Sequence, residues 1–260
     1  MSSSKLSVAV AQLDIALGDK EANLAKVEAT LRRTRAELVL FPELFTTGFD
    51  FPKLRELAEP LSGGTVRTLC ELAGERLIAG TLLESNAGRL YNTFVLLSGG
   101  GIIAAYRKLH LFGEEKRYFS SGREAVVAEV MGTVFGLSTC YDLRFPELFR
   151  RLALMGSEML LLSSEFPAQR QEHFDVLVRA RAIENQCFML ACNRVGRDEH
   201  NTYAGGSAII SPWGEILARA GDEEVLLEAE IDPGDVHRVR RGLPVLEDIR
   251  RELFSWFEQG

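Results

Sequence analysis

Cysteine and histidine are scarce in this chain of 260 residues, which has four of each. The cysteines include no CxxC pair, so neither a disulfide framework nor a zinc cluster is indicated. The histidines show no pair at the spacing of metal ligands. We therefore expect a cytoplasmic protein with free thiols that needs no metal and no cofactor; its cysteines are Cys70, Cys140, Cys187 and Cys192.

Long apolar runs and an excess of positive charge are also absent. No stretch approaches the roughly 20 apolar residues of a membrane-spanning helix, and the apolar run 6–11 is only strand-sized. We therefore expect neither a membrane segment nor a signal peptide. The net charge of −7 argues against nucleic-acid binding through a basic surface. The composition, with 46% hydrophobic and 26% charged residues, is typical of a soluble globular protein.

Short apolar runs alternate with amphipathic stretches, which is the pattern of α/β proteins. The order strand–helix–strand–helix followed by hairpins occurs twice, which predicts two sheets that pack face to face with helices outside both. The predicted strands are 6–12, 38–42, 77–84, 91–98, 102–110, 134–140, 159–163, 187–193, 207–211, 216–220 and 225–231, and the predicted helices are 23–33, 66–74, 146–155 and 171–186.

No linker or low-complexity segment divides the chain, so we predict a single domain over 1–260. Its last part, 246–260, mixes apolar and charged residues and contains Phe254, Trp256 and Phe257. Exposed aromatic clusters usually mark an interface, so this tail is expected to dock on a partner subunit.

Cys140 stands where the apolar run 134–140 ends and a polar turn begins. A helix is expected to start at Pro146, because proline suits the first helical position. Ligands of α/β proteins bind at that edge of a sheet. Backbone N–H groups and the helix dipole there would favour a reactive thiolate. The alternative is an inert core cysteine, and Cys140 alone leaves both interpretations open.

Glu43 and Lys108 occupy comparable positions. Glu43 follows the apolar run 38–42, where partial desolvation would suit a general base, although most glutamates are solvated. Lys108 alternates with apolar neighbours and would share a strand face with Tyr106 and His110. A solvated lysine on an edge strand is the alternative.

His110 raises a second possibility, a Cys–His pair as in papain-like thiol hydrolases. No papain-type sequence surrounds Cys140, which disfavours that interpretation.

Three segments together resemble the nitrilase superfamily of carbon–nitrogen hydrolases, in order and in surroundings. They are Phe41-Pro42-Glu43, the run 107–112 (RKLHLF) and the run 140–145 (CYDLRF). The resemblance extends from about Leu6 to about Pro244, with further matches at Asn92, 181–186, Asn193-Arg194, Gly206-Ser207 and Pro212-Trp213-Gly214-Glu215. It implies a four-layer αββα sandwich of two mixed sheets, which is usually dimeric, so a homodimer is expected.

The resemblance also implies a Glu–Lys–Cys triad, here Glu43, Lys108 and Cys140, with a second glutamate, Glu115, ahead of the segment 118–122. A small amide would be cleaved to acid and ammonia through a thioester on the cysteine, with water as the second reactant. Lys108 and the backbone N–H of Tyr141 would stabilise the oxyanion.

Within the superfamily, the runs 140–146 and 180–186 are most similar to the ω-amidase branch, which hydrolyses dicarboxylic monoamides such as 2-oxoglutaramate. Arg144 is a candidate for binding the substrate carboxylate, while a structural ion pair with Glu147 or another buried acid is the alternative. One departure is that Glu165-Phe166 precede Pro167-Ala168, where the branch usually has Asn or Ala followed by Trp. Glu165 and Phe166 are therefore also candidates for contact with the substrate.

A carboxylate near the pocket would repel an acidic substrate and favour one that bears an amine. Hydrolysis of N-carbamoyl amines therefore stays open, as do nitrile hydrolysis and a non-catalytic binding role. Asp142, Glu184 and Asn185 are expected to be structural, because buried polar groups often hold loops in place.

Overall fold

Strands and helices alternate through residues 5–198 and 201–253, which are the residues that the computed structural model describes. The strands are β1 (Leu6–Gln12), β2 (Leu38–Leu40), β3 (Leu77–Asn86), β4 (Arg89–Ser98), β5 (Gly101–Arg107), β6 (Val127–Val130), β7 (Thr133–Thr139), β8 (Met159–Ser164), β9 (Phe188–Asn193), β10 (Val195–Arg197), β11 (Thr202–Ala204), β12 (Ala208–Ile210), β13 (Ile216–Arg219) and β14 (Val225–Ile231). The α-helices are α1 (Lys20–Arg33), α2 (Leu54–Leu57), α3 (Gly64–Ala73), α4 (Glu115–Tyr118), α5 (Pro146–Leu154), α6 (Gln171–Asn185) and α7 (Gly234–Gly242).

Two six-stranded mixed sheets are built to the same plan. The first has the order β14-β1-β2-β3-β4-β5 and the second the order β13-β12-β9-β8-β7-β6. In each sheet three neighbouring parallel strands are flanked by antiparallel ones. The twofold plan read from the sequence is therefore confirmed.

Apolar residues alternate between two cores along the strands of the first sheet. Val8 and Val10 of β1 belong to the core that also contains the second sheet. Ala9, between them, belongs to the core that contains Val27 of α1 and Leu69 of α3. Because both faces of these strands are buried, they read in the sequence as continuous apolar runs.

The helices complete the four layers. The first sheet carries α1 and α3 on its outer face, and the second carries α5 and α6. This is the αββα sandwich of two mixed sheets that the sequence predicted. In residues 5–198 and 201–253, no helix is both long and apolar enough to cross a bilayer.

Some predicted boundaries differ from the structure. The first helix begins at Lys20 rather than Asn23, because the Asp19 side chain accepts a hydrogen bond from the backbone N–H of Ala22 and caps the helix. The second strand ends at Leu40, two residues earlier than predicted. Helix α5 begins at Pro146, as predicted.

The predicted strand 102–110 extends too far, so the shared face expected for Tyr106, Lys108 and His110 is only partly observed. Strand β5 ends at Arg107, and the carbonyl oxygen of Lys108 accepts a hydrogen bond from the N–H of Gly122 rather than from a neighbouring strand. The N–H of Lys108 still donates to the carbonyl oxygen of Asn92 on β4 at 2.9 Å, so the regular pairing ends at Lys108. Tyr106 and His110 both contact Asp142, whereas Lys108 contacts Glu43 and Glu115.

Several short elements were not predicted: β6, β10, β11, α4 and α7. The strands among them have three or four residues, too few for a period of two to stand out. Helix α7 is rich in charged residues and buries only Val236. It has only two large apolar residues, Val236 and Val239, too few to indicate a helix in the sequence.

The C-terminal segment is described as far as Leu253 and ends in a 3₁₀ turn, Arg251–Leu253. The aromatic residues on which the docking hypothesis rests, Phe254, Trp256 and Phe257, lie outside the described residues. The single-domain boundary and the docked tail therefore stay predictions.

Gly122 allows two backbone segments to approach closely. Its N–H donates to the carbonyl oxygen of Lys108 at 2.9 Å, and a Cβ at this position would lie 2.1 Å from the carbonyl oxygen of Arg107. We predict that Gly122→Ala lowers the free energy of unfolding by about 2 kcal/mol, because backbone must move to admit the methyl group. Gly100→Ala is the control, since a Cβ there contacts only the Ser98 hydroxyl at 3.7 Å. Urea unfolding measures both, and equal stabilities would contradict the prediction.

Candidate active site

Four of the predicted site residues meet where the two sheets face each other. Glu43 follows β2 and Lys108 follows β5 in the first sheet, Glu115 opens α4, and Cys140 follows β7 in the second sheet. All four line one cavity of about 350 Å³. The structure therefore brings together residues that are far apart in the sequence.

Lys108 is the centre of a buried ion network. Its Nζ lies 2.7 Å from Oε1 of Glu43 and 2.8 Å from both carboxylate oxygens of Glu115. Each of these side chains is at least nine-tenths buried. Two carboxylates thus share one ammonium group away from water. Lys108 and Glu43 are therefore not solvated surface residues, which was the alternative for each of them.

The side-chain amide of Asn92 joins the same network from β4. Its Nδ2 lies 2.7 Å from Oε1 of Glu43 and 3.2 Å from Oε1 of Glu115. Oε2 of Glu43 accepts a further hydrogen bond, at 3.0 Å, from the backbone N–H of Glu165. The Glu43 carboxylate is therefore held by partners from both halves of the sandwich.

Cys140 adopts a left-handed backbone conformation, with φ of +44°. It is the first residue of a 3₁₀ helix, Cys140–Arg144, and the Asp142 side chain accepts a hydrogen bond at 3.0 Å from the N–H of Thr139 just before this helix. Residues other than glycine visit this region at a cost of roughly 1–2 kcal/mol. The sharp turn directs the cysteine out of the strand and into the cavity, so the strain is located at the candidate nucleophile.

Burial and charge shift the pKa values of Cys140, Lys108 and Glu115. Burial, reinforced by the charge of Glu43, holds the pKa of the Cys140 thiol well above its usual value. Burial alone would lower the pKa of Lys108, but the carboxylates of Glu115 and Glu43 outweigh it and hold that pKa well above its usual value. Burial raises the pKa of Glu115, against the opposing charge of Lys108. Cys140 is therefore a neutral thiol at rest and needs a base.

His110 binds Asp142 rather than the cysteine. Its Nδ1 lies 2.7 Å from Oδ1 of Asp142, and its ring stacks on Phe145 at 3.6 Å. The other oxygen of Asp142 accepts hydrogen bonds from Tyr106 Oη and from the N–H of Thr139. Asp142 thus anchors the turn that carries Cys140, which agrees with its expected structural role. The papain-like interpretation finds no support in these contacts.

Two arginines line the cavity without a carboxylate partner among the described residues. Arg144 lies over the ring of Phe166 at 5.3 Å, and its Nη2 lies 3.2 Å from Nδ1 of His173. Arg170 lies over the ring of Phe112 at 5.0 Å. The alternative ion pair between Arg144 and Glu147 is not formed.

Glu165 lies at the cavity wall and is paired with a buried cation. Its Oε2 lies 2.9 Å from Nη1 of Arg194, and both side chains are 1% exposed. Burial raises the pKa of Glu165 to about 7, against the charge of Arg194. Whether protonated or paired, Glu165 adds little net negative charge to the cavity.

Aromatic side chains form much of the remaining wall, and Phe166 is nearly fully buried among them. Tyr141 lines the cavity beside the cysteine, and its ring contacts Phe112 at 4.9 Å. In the part of the chain that the structure describes, no group of three or more His, Cys, Asp or Glu residues is arranged to hold a metal ion.

Several residues of the site were not assigned a function from the sequence. Asn92 and Arg194 were noted only as parts of family motifs, and nothing local indicated which carboxylates they would bind. Arg170 and the loop residues Phe49 and Phe51 stood in segments without a periodic pattern. The family motifs were therefore a sequence signal for Asn92 and Arg194. No such signal existed for Arg170, Phe49 and Phe51.

Comparison with known proteins identifies the class to which this site belongs. The sequence model of the family described as Carbon-nitrogen hydrolase matches residues 7–241. The 2-oxoglutaramate amidase of Bacillus subtilis (strain 168) is 38% identical over 258 residues, which cover 96% of this chain and all of that protein. An (R)-stereoselective amidase of Pseudomonas sp is 35% identical over 91% of this chain and 88% of that protein.

A solved amidase of Nesterenkonia sp. AN1, from the nitrilase superfamily, matches the fold with a TM-score of 0.85 at 25% identity over 95% of each chain. That structure is a Glu→Gln mutant whose active-site cysteine carries the acetamide moiety of fluoroacetamide. The present chain belongs to the carbon–nitrogen hydrolase family. It is an amidohydrolase that acts on carbon–nitrogen bonds other than peptide bonds.

The buried Glu165 predicts a dependence of stability on pH. Its pKa rises from 4.5 to about 7 on folding, so between these values the folded state keeps a proton that the unfolded state has lost. The free energy of unfolding of the wild type should therefore fall relative to Glu165→Gln as the pH rises through this window. The change is at most about 3 kcal/mol, at 1.36 kcal/mol per pKa unit.

Denaturant unfolding of both proteins at pH 5, 6, 7 and 8 measures the difference. A gap that moves in favour of the wild type with rising pH would contradict the prediction. A constant gap would contradict it as well, because Glu165 would then be ionised in both the folded and the unfolded state over most of this range.

Proposed function

We propose that this enzyme hydrolyses the terminal amide of a small dicarboxylic monoamide such as 2-oxoglutaramate, and releases the acid and ammonia. The observation that carries the proposal is the cavity itself, which holds Cys140 with its buried Glu43–Lys108–Glu115 network. It also holds Arg144, an arginine that has no carboxylate partner within residues 5–198 and 201–253. The reactive groups can attack the amide at one end of such a substrate, and the arginine can bind the carboxylate at its other end. The name of the Bacillus subtilis relative supports the same substrate.

In the proposed first step, Glu43 takes the proton of the Cys140 thiol while the sulfur attacks the amide carbon. The raised pKa of Cys140 makes a base necessary, and the Glu43 carboxylate, which contributes to that rise, lines the same cavity. A carboxylate at hydrogen-bonding distance can accept that proton as the carbon–sulfur bond forms. The carbonyl oxygen then gains negative charge.

That charge would be stabilised by Lys108 and by the backbone N–H of Tyr141. Lys108 has three N–H donors, which at rest serve the Glu43 and Glu115 carboxylates. One donor can serve both oxygens of Glu115, which leaves another for the substrate oxygen. Such donors contribute roughly 2.7–4 kcal/mol each to the transition state.

The carbon–nitrogen bond then breaks as Glu43 returns its proton to the departing nitrogen, which leaves as ammonia. Cys140 is now a thioester. Water, positioned by Glu115, gives a proton to Glu43 as it attacks the thioester carbon. Collapse of that intermediate releases the carboxylic acid and restores the thiol. Glu43 thus transfers one proton from the thiol to the departing nitrogen, and later a second proton from water to the sulfur.

Arg144 is proposed to bind the substrate carboxylate. A guanidinium group can form two parallel hydrogen bonds with a carboxylate, and Phe166 and His173 restrict its position. The ring of Phe166 is thereby part of the support for the arginine. Arg170 lies at the same cavity and adds a second positive charge.

Glu165 stands where the ω-amidase branch usually has Asn or Ala, but its carboxylate is not expected to repel an acidic substrate. Its carboxylate is paired with Arg194, and its raised pKa removes charge near neutral pH. The reason to prefer an amine-bearing N-carbamoyl substrate is therefore weakened. Nitrile hydrolysis would need the same cysteine nucleophile, so activity assays must compare nitriles with amides.

The predicted homodimer also stays a proposal. The described part of the chain exposes Val176 and Ile183 on α6 and Trp213 in the neighbouring turn. Arg179 joins that turn to the helix through a hydrogen bond from Nε to the carbonyl oxygen of Gly214. Cytoplasmic location is likewise an expectation.

The proposed triad predicts distinct effects of two substitutions. Cys140→Ala should reduce amide hydrolysis at least about 10³-fold, because the thioester cannot form. Glu43→Gln should lower kcat by roughly 10² or more, because proton transfer is lost while the shape is kept. Ammonia release from 2-oxoglutaramate and succinamate is the measurement, with circular dichroism to confirm folding.

Cys70→Ala is the matched control, because Cys70 lies on α3, away from the cavity, and carries a free thiol. It should retain wild-type turnover. Full activity in folded Cys140→Ala would refute the proposed mechanism.

The anion-binding role predicts a preference that depends on Arg144. The wild type should cleave 2-oxoglutaramate far better than neutral butyramide. Arg144→Lys should raise KM for 2-oxoglutaramate roughly tenfold and change kcat less, because lysine lacks the planar fork. The rate with butyramide should stay nearly constant. Arg179→Lys, at an exposed site on α6, is the control.

Two outcomes would contradict this assignment. Equal effects of Arg144→Lys on charged and neutral amides would remove Arg144 from carboxylate binding. Preference for an N-carbamoyl amine or a nitrile over every monoamide acid would overturn the substrate, while leaving the triad in place.

A further inference from the structure

We propose that Asn92 is a positioning residue that keeps the two active-site glutamates ionised and correctly oriented through a single side-chain amide. The inference rests on the roles proposed above for Glu43 and Glu115. It assigns Asn92 a task in the reaction that is separate from the stability of the fold.

The geometry gives Asn92 one hydrogen bond to each glutamate. It is 1% exposed, and its Nδ2 lies 2.7 Å from Glu43 and 3.2 Å from Glu115. An amide nitrogen carries two hydrogens, so it can donate to both carboxylates at once. Lys108 contacts the same two carboxylates. The glutamates are therefore joined by one cation and one neutral double donor.

The charges of the site explain why a second donor is needed. Two carboxylates and one ammonium leave a net negative charge in a buried site. Carboxylates that share such a site tend to keep a proton between them, whereas donors to the ionised form oppose that. Protonated Glu43 could not accept the proton of Cys140. The Asn92 amide thus favours the state in which Glu43 can act as a base.

The acceptor end of Asn92 supports the same conclusion. Its Oδ1 is buried and has no hydrogen-bond partner among the described residues. Rotating the amide by half a turn would instead point this oxygen at both carboxylates, so the observed orientation is fixed by its two donors. A buried acceptor without a donor costs stability. The amide orientation therefore satisfies the two glutamates and leaves the Asn92 oxygen without a hydrogen bond.

The next residue on β4 provides a matched control. Successive side chains of a strand point to opposite faces, and Thr93 faces away from the catalytic cavity. Its Oγ1 donates to Oε2 of Glu84 at 2.6 Å, and both residues are fully or almost fully buried. Thr93→Val therefore removes one buried hydrogen bond to a glutamate outside the active site.

The experiment compares a graded series at Asn92 with this control. Asn92→Ser keeps one donor at most, and Asn92→Ala keeps none. We expect kcat for 2-oxoglutaramate to fall about tenfold in the first and about a hundredfold in the second, with KM changed less than threefold. Thr93→Val should keep wild-type kcat and lose at least as much thermal stability as Asn92→Ala.

The pH profile distinguishes positioning from a structural role. The groups that face the Asn92 amide are Glu43, Glu115 and Lys108, with Cys140 beside them. Glu165, whose pKa is about 7, lies next to Glu43 in the wild type and in both variants, so its titration is common to all three profiles. Without the amide, the carboxylates should retain a proton to higher pH. The loss of kcat in Asn92→Ala should therefore be several-fold greater at pH 6 than at pH 8.5, while Thr93→Val keeps the wild-type profile.

Three results would overturn the inference: wild-type kcat in Asn92→Ala, an equal loss at every pH, or the same loss in Thr93→Val. If Cys140→Ala and Glu43→Gln are inactive while Asn92→Ala is fully active, only this inference fails. If folded Cys140→Ala is active, the proposed mechanism fails first, whatever Asn92 does.

Discussion

The rest of the site depends on one buried ammonium group. Lys108 is almost completely removed from water, and only its short contacts with Glu43 and Glu115 make that burial tolerable. An unpaired charge at this depth would cost several kcal/mol, so both carboxylates must be in place for the lysine to stay charged. The lysine in turn makes it possible to bury two carboxylates side by side.

The same buried network determines when the Cys140 thiol can react. The cysteine stays protonated until a substrate arrives, because burial and the nearby glutamate both disfavour a thiolate. The left-handed backbone at Cys140 holds the sulfur at the mouth of the network rather than inside the apolar strand. A thiol that is unreactive by itself is thus placed beside the one group able to take its proton. The pair Glu165–Arg194 then screens the wall near Glu43 from additional charge.

Much of the fold could be predicted from the sequence because its determinants are local. The parallel strands are buried on both faces and read as apolar runs, and proline and glycine mark the turns that end them. The same logic located Glu43 and Cys140, which stand at the exits of such runs. Lys108 was found through the family motif, whereas the strand predicted around it extends too far, since β5 ends at Arg107 and only the N–H of Lys108 still pairs with β4.

The partners within the site could not be predicted, because they are set by contacts between distant segments. Lys108 and Glu43 are 65 residues apart, and the N–H that binds Glu43 belongs to a residue 122 positions away. No local pattern encodes which carboxylate receives which donor. For that reason the Asn92 bridge and the neutralisation of Glu165 by Arg194 emerge only when the two sheets are docked.

The contacts across the two sheets have a consequence for how the protein can be divided. The hydroxyl of Ser163 and the N–H of Glu165, both from the second sheet, bind the carbonyl of Phe41 and the carboxylate of Glu43 in the first. The last strand, β14, returns from the second half of the chain to pair with β1 at the edge of the first sheet. A cut between β5 and β6 would therefore yield two fragments that each lack part of the catalytic apparatus, and whose reassociation would be reported by the recovery of turnover.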